Sequence, residues 1–242
     1  FFDSDGAKLG EGIDAMDAIS QILFSSNSLS GVVPQIAVIT GACVGTSALV
    51  AATSDFVIMV EGGSYYLDKD GEGGQADILV RDETDALDKA KMLLSYLPSN
   101  NLSAPPVYET GAVPMGGCAE TADCPAAVSD PGTLLLLSDG SSCVTAFGQG
   151  DGVVCGFVTL SGDTVCCRAA ARVARFVRLC DAFSLPVLSF VVAAGFKGVN
   201  GAAKISQAYA EATTAKISII TGKAYGPVYI AVAGKLAGAD AV

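Results

Sequence analysis

Pro34-Gln35-Ile36-Ala37-Val38-Ile39-Thr40-Gly41-Ala42-Cys43-Val44-Gly45 and Ala215-Lys216-Ile217-Ser218-Ile219-Ile220-Thr221-Gly222-Lys223-Ala224-Tyr225-Gly226 carry one pattern twice. At a single offset Ile36 meets Ile217, Ile39 meets Ile220 and Thr40 meets Thr221, with Gly41/Gly222 and Gly45/Gly226 in register. Each copy runs into an Ala-rich stretch, Ser47 to Thr53 and Val228 to Gly238. Each then reaches an acidic residue before an apolar pair, Asp55-Phe56-Val57 and Asp240-Ala241-Val242. Upstream, each has an apolar strand broken at glycine, Phe2 to Gly6 and Leu188 to Gly195. Self-similarity of this kind marks a repeated structural unit, so the chain reads as two homologous halves.

Outward from the repeat, strands alternate with helices. Arg81 to Leu97 places Ala86, Leu87, Ala90, Leu93 and Leu94 on one face, an amphipathic helix stopped by Pro98. Pro98 to Asp130 has linker composition. Strands are expected at Cys143–Phe147 and Val153–Leu160, with Ser161-Gly162-Asp163 as a turn. A helix over Ala169–Phe183, a strand over Val187–Ala193 and a helix over Ala202–Thr213 follow. The pattern is that of an α/β protein with buried sheets.

Composition narrows the chemistry. The 242 residues include no histidine, which excludes Ser-His-Asp and Cys-His triads and His-ligated zinc or haem. With 51% hydrophobic and 16% charged residues the chain has ample material for a core. A net charge of −11 argues against nucleic acid as a partner. The eight cysteines form no paired C-x-x-C, and they read as small buried hydrophobes of a reduced, cytoplasmic protein. Apolar stretches such as Pro186 to Phe196 fall short of a spanning helix, and no charged-then-apolar leader precedes Phe1. Phe1 reads as the end of a strand and Leu236 to Val242 as the start of one, consistent with a fragment or with joined segments.

In each half a β-branched strand ends at Thr-Gly, passes a short loop to a second Gly, and enters an Ala-rich helix. Backbone N–H groups and the positive end of a helix dipole then meet at a strand's carboxyl end, a cradle for an oxyanion or phosphate. Tight βα turns alone are the plainer reading. Gly41-x-x-x-Gly45 lacks the dinucleotide spacing and no G-K-[ST] follows it. Asp14/Asp17 and Asp82/Glu83/Asp85 read as solvated charges on helix faces. Arg168, Arg172 and Arg175 form a basic stripe near Arg178, suited to cofactor phosphates or to pairing with nearby carboxylates. No metal site is expected.

The run Ala174-Arg175-Phe176-Val177-Arg178-Leu179-Cys180-Asp181-Ala182-Phe183-Ser184-Leu185-Pro186 resembles the "ARFVRFCDAFNIP" segment of biotin-dependent acyl-CoA carboxyltransferases. These are the propionyl-CoA carboxylase β and methylmalonyl-CoA decarboxylase α subunit type. Asp5 to Gly12 is similar to the family's "GGARIQEG", Gly31 to Ile36 to "GVIPQIS", and Gly41 to Gly45 to "GPCAG". Ala210-Glu211-Ala212-Thr213 and Lys223-Ala224-Tyr225-Gly226 resemble "AEAT" and "RKAYG".

The resemblance implies two tandem crotonase-like (ClpP/crotonase) domains of ββα repeats, expected over residues 1-125 and 126-242. It implies transfer of a carboxyl group between carrier-bound biotin and the α-carbon of an acyl-CoA, with two oxyanion holes. Carried over by position, Ala7, Gly45 and Thr46 fall at the thioester hole, and Phe196, Pro227 and Val228 at the biotin hole. Lys8, Gly41, Gly195, Gly226, Tyr229 and Ile230 are the accompanying substrate-binding positions. Implied partners are acyl-CoA, a biotin carboxyl carrier protein, a biotin carboxylase or a membrane decarboxylase subunit, and further copies of the chain in a dimer or hexamer. The chain has no A-M-K-M biotinylation motif.

Departures from the family pattern are specific. Pro227 replaces a glycine and has no N–H; loss of such a donor costs about 3 kcal/mol of transition-state stabilisation. Thr46 replaces a glycine, Lys8 replaces the usual arginine and its bidentate fork, and Val191 to Phe196 replaces "FVDVPGF". The chain is shorter after Cys166-Cys167 and after Gly198, and Ile230 stands where propionyl-type enzymes often have Asp. A CoA-thioester hydratase, a malonate-decarboxylase-type enzyme and a non-catalytic assembly subunit stay open as alternatives.

Overall fold

The computed structural model describes residues 1–110, 117–118, 120–140, 143–235 and 238–242. Residues 111–116 and 119 of the expected linker, and Leu236–Ala237 near the end, lie outside these described residues. The chain divides into two compact units, Phe1–Asn100 and Asn101–Val242.

The first unit runs β1 (Phe2–Ser4), α1 (Gly12–Ser28), β2 (Ile36–Val44), α2 (Thr46–Ala52), β3 (Phe56–Val60), β4 (Ser64–Tyr66), β5 (Ile78–Val80) and α3 (Glu83–Tyr96). The sheet order is β1-β2-β3-β5, with β4 also paired to β2, and every pairing is parallel. Parallel neighbours require crossovers, which α1, α2 and the loops supply. Ile39 and Ile58 of the sheet, with Ala51 of α2 and Leu93 of α3, are fully buried. The Asp82 carboxylate caps α3 by accepting from the Asp85 amide at 2.9 Å. Leu97, before Pro98, is extended and ends the helix.

The second unit contains α4 (Cys124–Val128), β6 (Leu135–Gly140), β7 (Cys143–Gly150), β8 (Val153–Val165), α5 (Cys167–Ala182), β9 (Val187–Phe196), α6 (Val199–Glu211) and β10 (Lys216–Ala224). A short π-type turn, Tyr229–Ala233, follows. The order is β10-β9-β8-β7-β6, parallel from β10 to β8 and antiparallel from β8 to β6.

The repeat seen in sequence is repeated in hydrogen bonds. Thr40 Oγ1 donates to the Phe2 carbonyl at 3.4 Å and Thr221 Oγ1 to that of Val191 at 3.5 Å. The Gln35 amide donates to the Asp55 carboxylate at 2.8 Å, and the Lys216 amide to that of Asp240 at 2.7 Å. The two repeated acidic residues are therefore strand-start caps. Gly41 and Gly222 also share a role, since neighbouring strands crowd both. A Cβ on Gly41 would run into the Asp3 carboxylate, and one on Gly222 would lie 2.8 Å from Val192 Cγ2.

Three expectations change. Ser161-Gly162-Asp163 is no turn, because β8 continues to Val165 and pairs Ser161 with Val192 and Thr164 with Gly195. The two compact units divide at 100/101. Tyr108 N–H donates to the Gly152 carbonyl at 2.9 Å and Cys124 packs with Ala146 and Phe157, so this stretch joins the second unit. The second Ala-rich stretch is helical over residues 227–233 and not to its expected end at Gly238. The cysteines are not uniformly buried thiols. Cys118 and Cys124 form a disulfide, Cys166 is half-buried and Cys167 is exposed, while Cys43, Cys143, Cys155 and Cys180 are buried. Among the described residues no helix is long and apolar enough to cross a membrane.

Candidate active site

At the end of β2 the chain turns on Gly45, whose φ of +61° suits only a residue without Cβ. Its N–H donates to the Tyr66 carbonyl at 3.0 Å and its carbonyl accepts from Leu49 at 3.3 Å, which ties the turn to β4 and to α2. Thr46 opens α2, where amides have no partner inside the helix. Alongside, β1 ends at Ser4 and brings Gly6 and Ala7 against this turn. The Ala7 amide donates to Thr46 Oγ1 at 3.1 Å. Ser47 Oγ donates to the carbonyls of Ser4 at 3.1 Å and Val44 at 2.8 Å, locking the two strand ends together.

These contacts border a cleft of about 430 Å³. It is lined by Phe2, Ser4, Gly6 and Ala7 at the end of β1, by Ile19 and Ile22 of α1, and by Thr46, Ser47 and Val50 of α2. No lining residue is charged. Just behind it the Asp3 carboxylate accepts from the Ala42 amide at 2.9 Å. Such a cleft, mostly apolar with the Thr46 hydroxyl at its border, suits a polarised carbonyl attached to an apolar chain.

The second loop has the same turn and a different ending. Gly226 has φ +44°, and the Ile230 amide donates to its carbonyl at 3.0 Å. Pro227 has no N–H. The Val228 amide donates to the Tyr225 carbonyl at 3.0 Å, and Val228 is fully buried. Neither residue therefore presents the free backbone donor expected there. Gly195 and Phe196 are held in β9 opposite Thr164 and Val165, while Tyr229 and Ile230 stand exposed.

The structure thus brings Ala7, Gly45 and Thr46 together, with Gly41 buttressing Asp3 rather than lining the cleft. Lys8 lies outside the lining and pairs with Glu11 at 3.7 Å, both exposed. Near the arginine stripe Arg178 pairs with Glu211 at 3.1 Å. Arg172 keeps its Nε buried without a hydrogen-bond partner. Ser47, Ile19 and Ile22 were not expected at the site. The i, i+3 spacing of Ile19 and Ile22 along Gly12–Ser28 carries that signal in the sequence. Burial pushes the thiols of Cys43, Cys143 and Cys180 up, and that of Cys155 from 9.0 to about 11, so these are protonated packing groups and not nucleophiles.

Two units that each set paired parallel strands against a glycine turn define a tandem crotonase-like α/β enzyme fold. The chain belongs to the carboxyl transferase domain family, whose pattern matches residues 1–67 and 138–242. It is 32% identical to the propionyl-CoA carboxylase beta chain of Saccharopolyspora erythraea, over 98% of this chain and 55% of that one. It is also 32% identical to the methylmalonyl-CoA carboxyltransferase 12S subunit of Propionibacterium freudenreichii subsp. shermanii, over 100% and 56%. The crystal structure of transcarboxylase 12S, a hexamer with hydrolysed methylmalonyl-coenzyme A bound, superposes with a TM-score of 0.88 at 31% identity, covering 100% of this chain and 57% of that one. The chain spans about half the length of the curated relatives it matches.

Proposed function

We propose that this chain is the carboxyltransferase core of a biotin-dependent acyl-CoA carboxylase or decarboxylase, working on propionyl/methylmalonyl- or acetyl/malonyl-type thioesters in the cytoplasm. The observation that carries this reading is the meeting of Ala7 and Thr46 across the β1 and β2 ends, beside an uncharged cleft. The thioester carbonyl enters between the Thr46 side and the end of β1, with its acyl chain against Ile19, Ile22 and Val50. Donors positioned before the reaction stabilise the enolate oxygen that develops when the bond to the α-carboxylate breaks. A hydratase would need a carboxylate pair at this place, and the lining residues include none.

The resemblance makes biotin on a separate carrier the carboxyl donor or acceptor. The second loop does not fit its ureido oxygen as two backbone amides would, since Pro227 has no N–H and the Val228 amide is taken by Tyr225. The chemistry derived from this chain's residues is therefore that of the thioester. Exposed Tyr225, Tyr229 and Ile230 with Ile219, and exposed Ile13 and Phe24 on α1, support association with further copies, as dimer or hexamer.

The test is release of CO₂ from methylmalonyl-CoA and malonyl-CoA by the full-length protein, with and without free biotin. Turnover with one of the two is expected. An absence of turnover with both, although CoA binds and hexamers form, would overturn the proposal in favour of an assembly role, which the engaged Val228 amide favours.

A further inference from the structure

The Ala7 amide, one of the expected oxyanion donors, is already satisfied: it donates to Thr46 Oγ1 at 3.1 Å. A hydroxyl that accepts through a lone pair keeps one proton to give. The neighbouring Ser47 uses its proton on the Ser4 and Val44 carbonyls. The Thr46 hydroxyl donates to no acceptor among the described residues, and it borders the cleft beside Ala7. A hydroxyl positioned by an amide, with a proton not used on any described residue and bordering an uncharged cavity, has the arrangement that a developing oxyanion requires.

We infer that the Thr46 hydroxyl, and not the Ala7 amide, is the group that donates to the thioester oxygen, the Ala7 amide acting through it as a relay. This rests on the thioester occupying this cleft as proposed above. The step it serves is self-contained. In a malonyl-type thioester the bond between Cα and the carboxylate breaks, and CO₂ leaves. The bonding pair moves into the thioester carbonyl to give the enolate, whose oxygen accepts from Thr46. Cα then takes a proton from water and the pair returns. Thr46 keeps its own proton throughout. Polarisation of the hydroxyl by the Ala7 N–H strengthens the bond as charge builds on the oxygen. In the second unit the corresponding residue is Pro227, which has neither hydroxyl nor N–H, so this device belongs to the first unit alone.

Three variants of the full-length protein test the relay: Thr46→Val, Thr46→Ser and Thr46→Gly. The isosteric Thr46→Val puts a methyl where the hydroxyl was and should lower kcat on the order of 10²–10³-fold with KM changed little. Thr46→Ser should retain kcat within about tenfold, because it restores the donor. Thr46→Gly frees the Ala7 amide to donate directly and should fall between the two. Circular-dichroism melts show that each variant is folded. A second readout is the calorimetric preference for propionyl-CoA over a thioether analogue without the carbonyl oxygen, which Thr46→Val should diminish. Equal kcat and equal thioester preference in Thr46→Val and wild type would overturn the relay and leave the proposed function standing. A wild type without turnover, but with a thioester preference lost in Thr46→Val, would overturn the proposed decarboxylation and uphold the hydroxyl's role.

Discussion

The glycine turns at Gly45 and Gly226 follow strands that agree down to single hydrogen bonds, and then they diverge within one residue. Thr40 and Thr221 reach equivalent carbonyls, and Asp55 and Asp240 cap equivalent amides. After the turn, Thr46 offers a hydroxyl to an open cleft, whereas Pro227 offers nothing and Val228 folds its amide back onto Tyr225. The backbone scaffold needs only the glycines, the caps and a buried β-branched strand. Donor chemistry depends on the residue just after the turn, which packing leaves free to vary. A repeated fold therefore does not imply a repeated site.

The largest test of that contrast is Gly45→Pro, which removes both the +61° φ and the N–H bonded to Tyr66. Initial-rate assays should show turnover reduced by at least about 100-fold. Pro227→Gly should act in the opposite sense, raising turnover with free biotin by on the order of tenfold as a backbone donor returns. Loss in both would mean that the two loops serve the same end.

Of intermediate size are the caps. Asp55→Ala and Asp240→Ala each leave one amide without its acceptor and should each cost about 1–3 kcal/mol in urea unfolding. A markedly unequal pair would confine the likeness of the units to topology.

Alkaline pH should separate the units further. Only Cys43 lies in the first, whereas Cys143, Cys155 and Cys180 are buried in the second. A thiol whose pKa is raised by burial is neutral in the fold while the unfolded thiol ionises at its ordinary value. Stability is therefore full below pH 9 and declines as pH rises from 9.0 toward about 11 for Cys155. Alkylation followed by mass spectrometry should find Cys167 modified first at neutral pH, and the buried thiols of the second unit opening before Cys43 as pH rises. The smallest effect belongs to the exposed Lys8–Glu11 pair: Glu11→Gln should shift unfolding free energy by less than about 1 kcal/mol.

Much of the fold is legible in the order of the residues alone. The paired Thr-Gly strands, the helix ended by Pro98 and the helix of Ala169–Phe183 depend on local period and on proline and glycine, which a sequence displays. The extension of β8 through Ser161-Gly162-Asp163 is not, because those residues carry turn chemistry and are kept extended by β9 beside them. The attachment of the stretch around Tyr108 and Cys124 to the second unit is likewise hidden, since its composition is that of a linker and only its pairing with Gly152 and its packing on Phe157 claim it. At the site, Gly45 and Thr46 stand out by the glycine turn they form, whereas Ser47 gains its role only where the ends of β1 and β2 meet.

Residue order suffices for the two halves, their α/β character and the positions of the turning glycines, because hydrophobic period and steric permission are properties of neighbouring residues. Which donors remain available is a matter of contacts made in the folded chain. The Ala7 amide is taken by a Thr46 hydroxyl 39 residues further along the chain, whereas the Val228 amide closes a local turn onto the Tyr225 carbonyl. A hydrogen bond joins groups that the chain must first bring together, and that meeting is written in the fold rather than in the spacing of the residues.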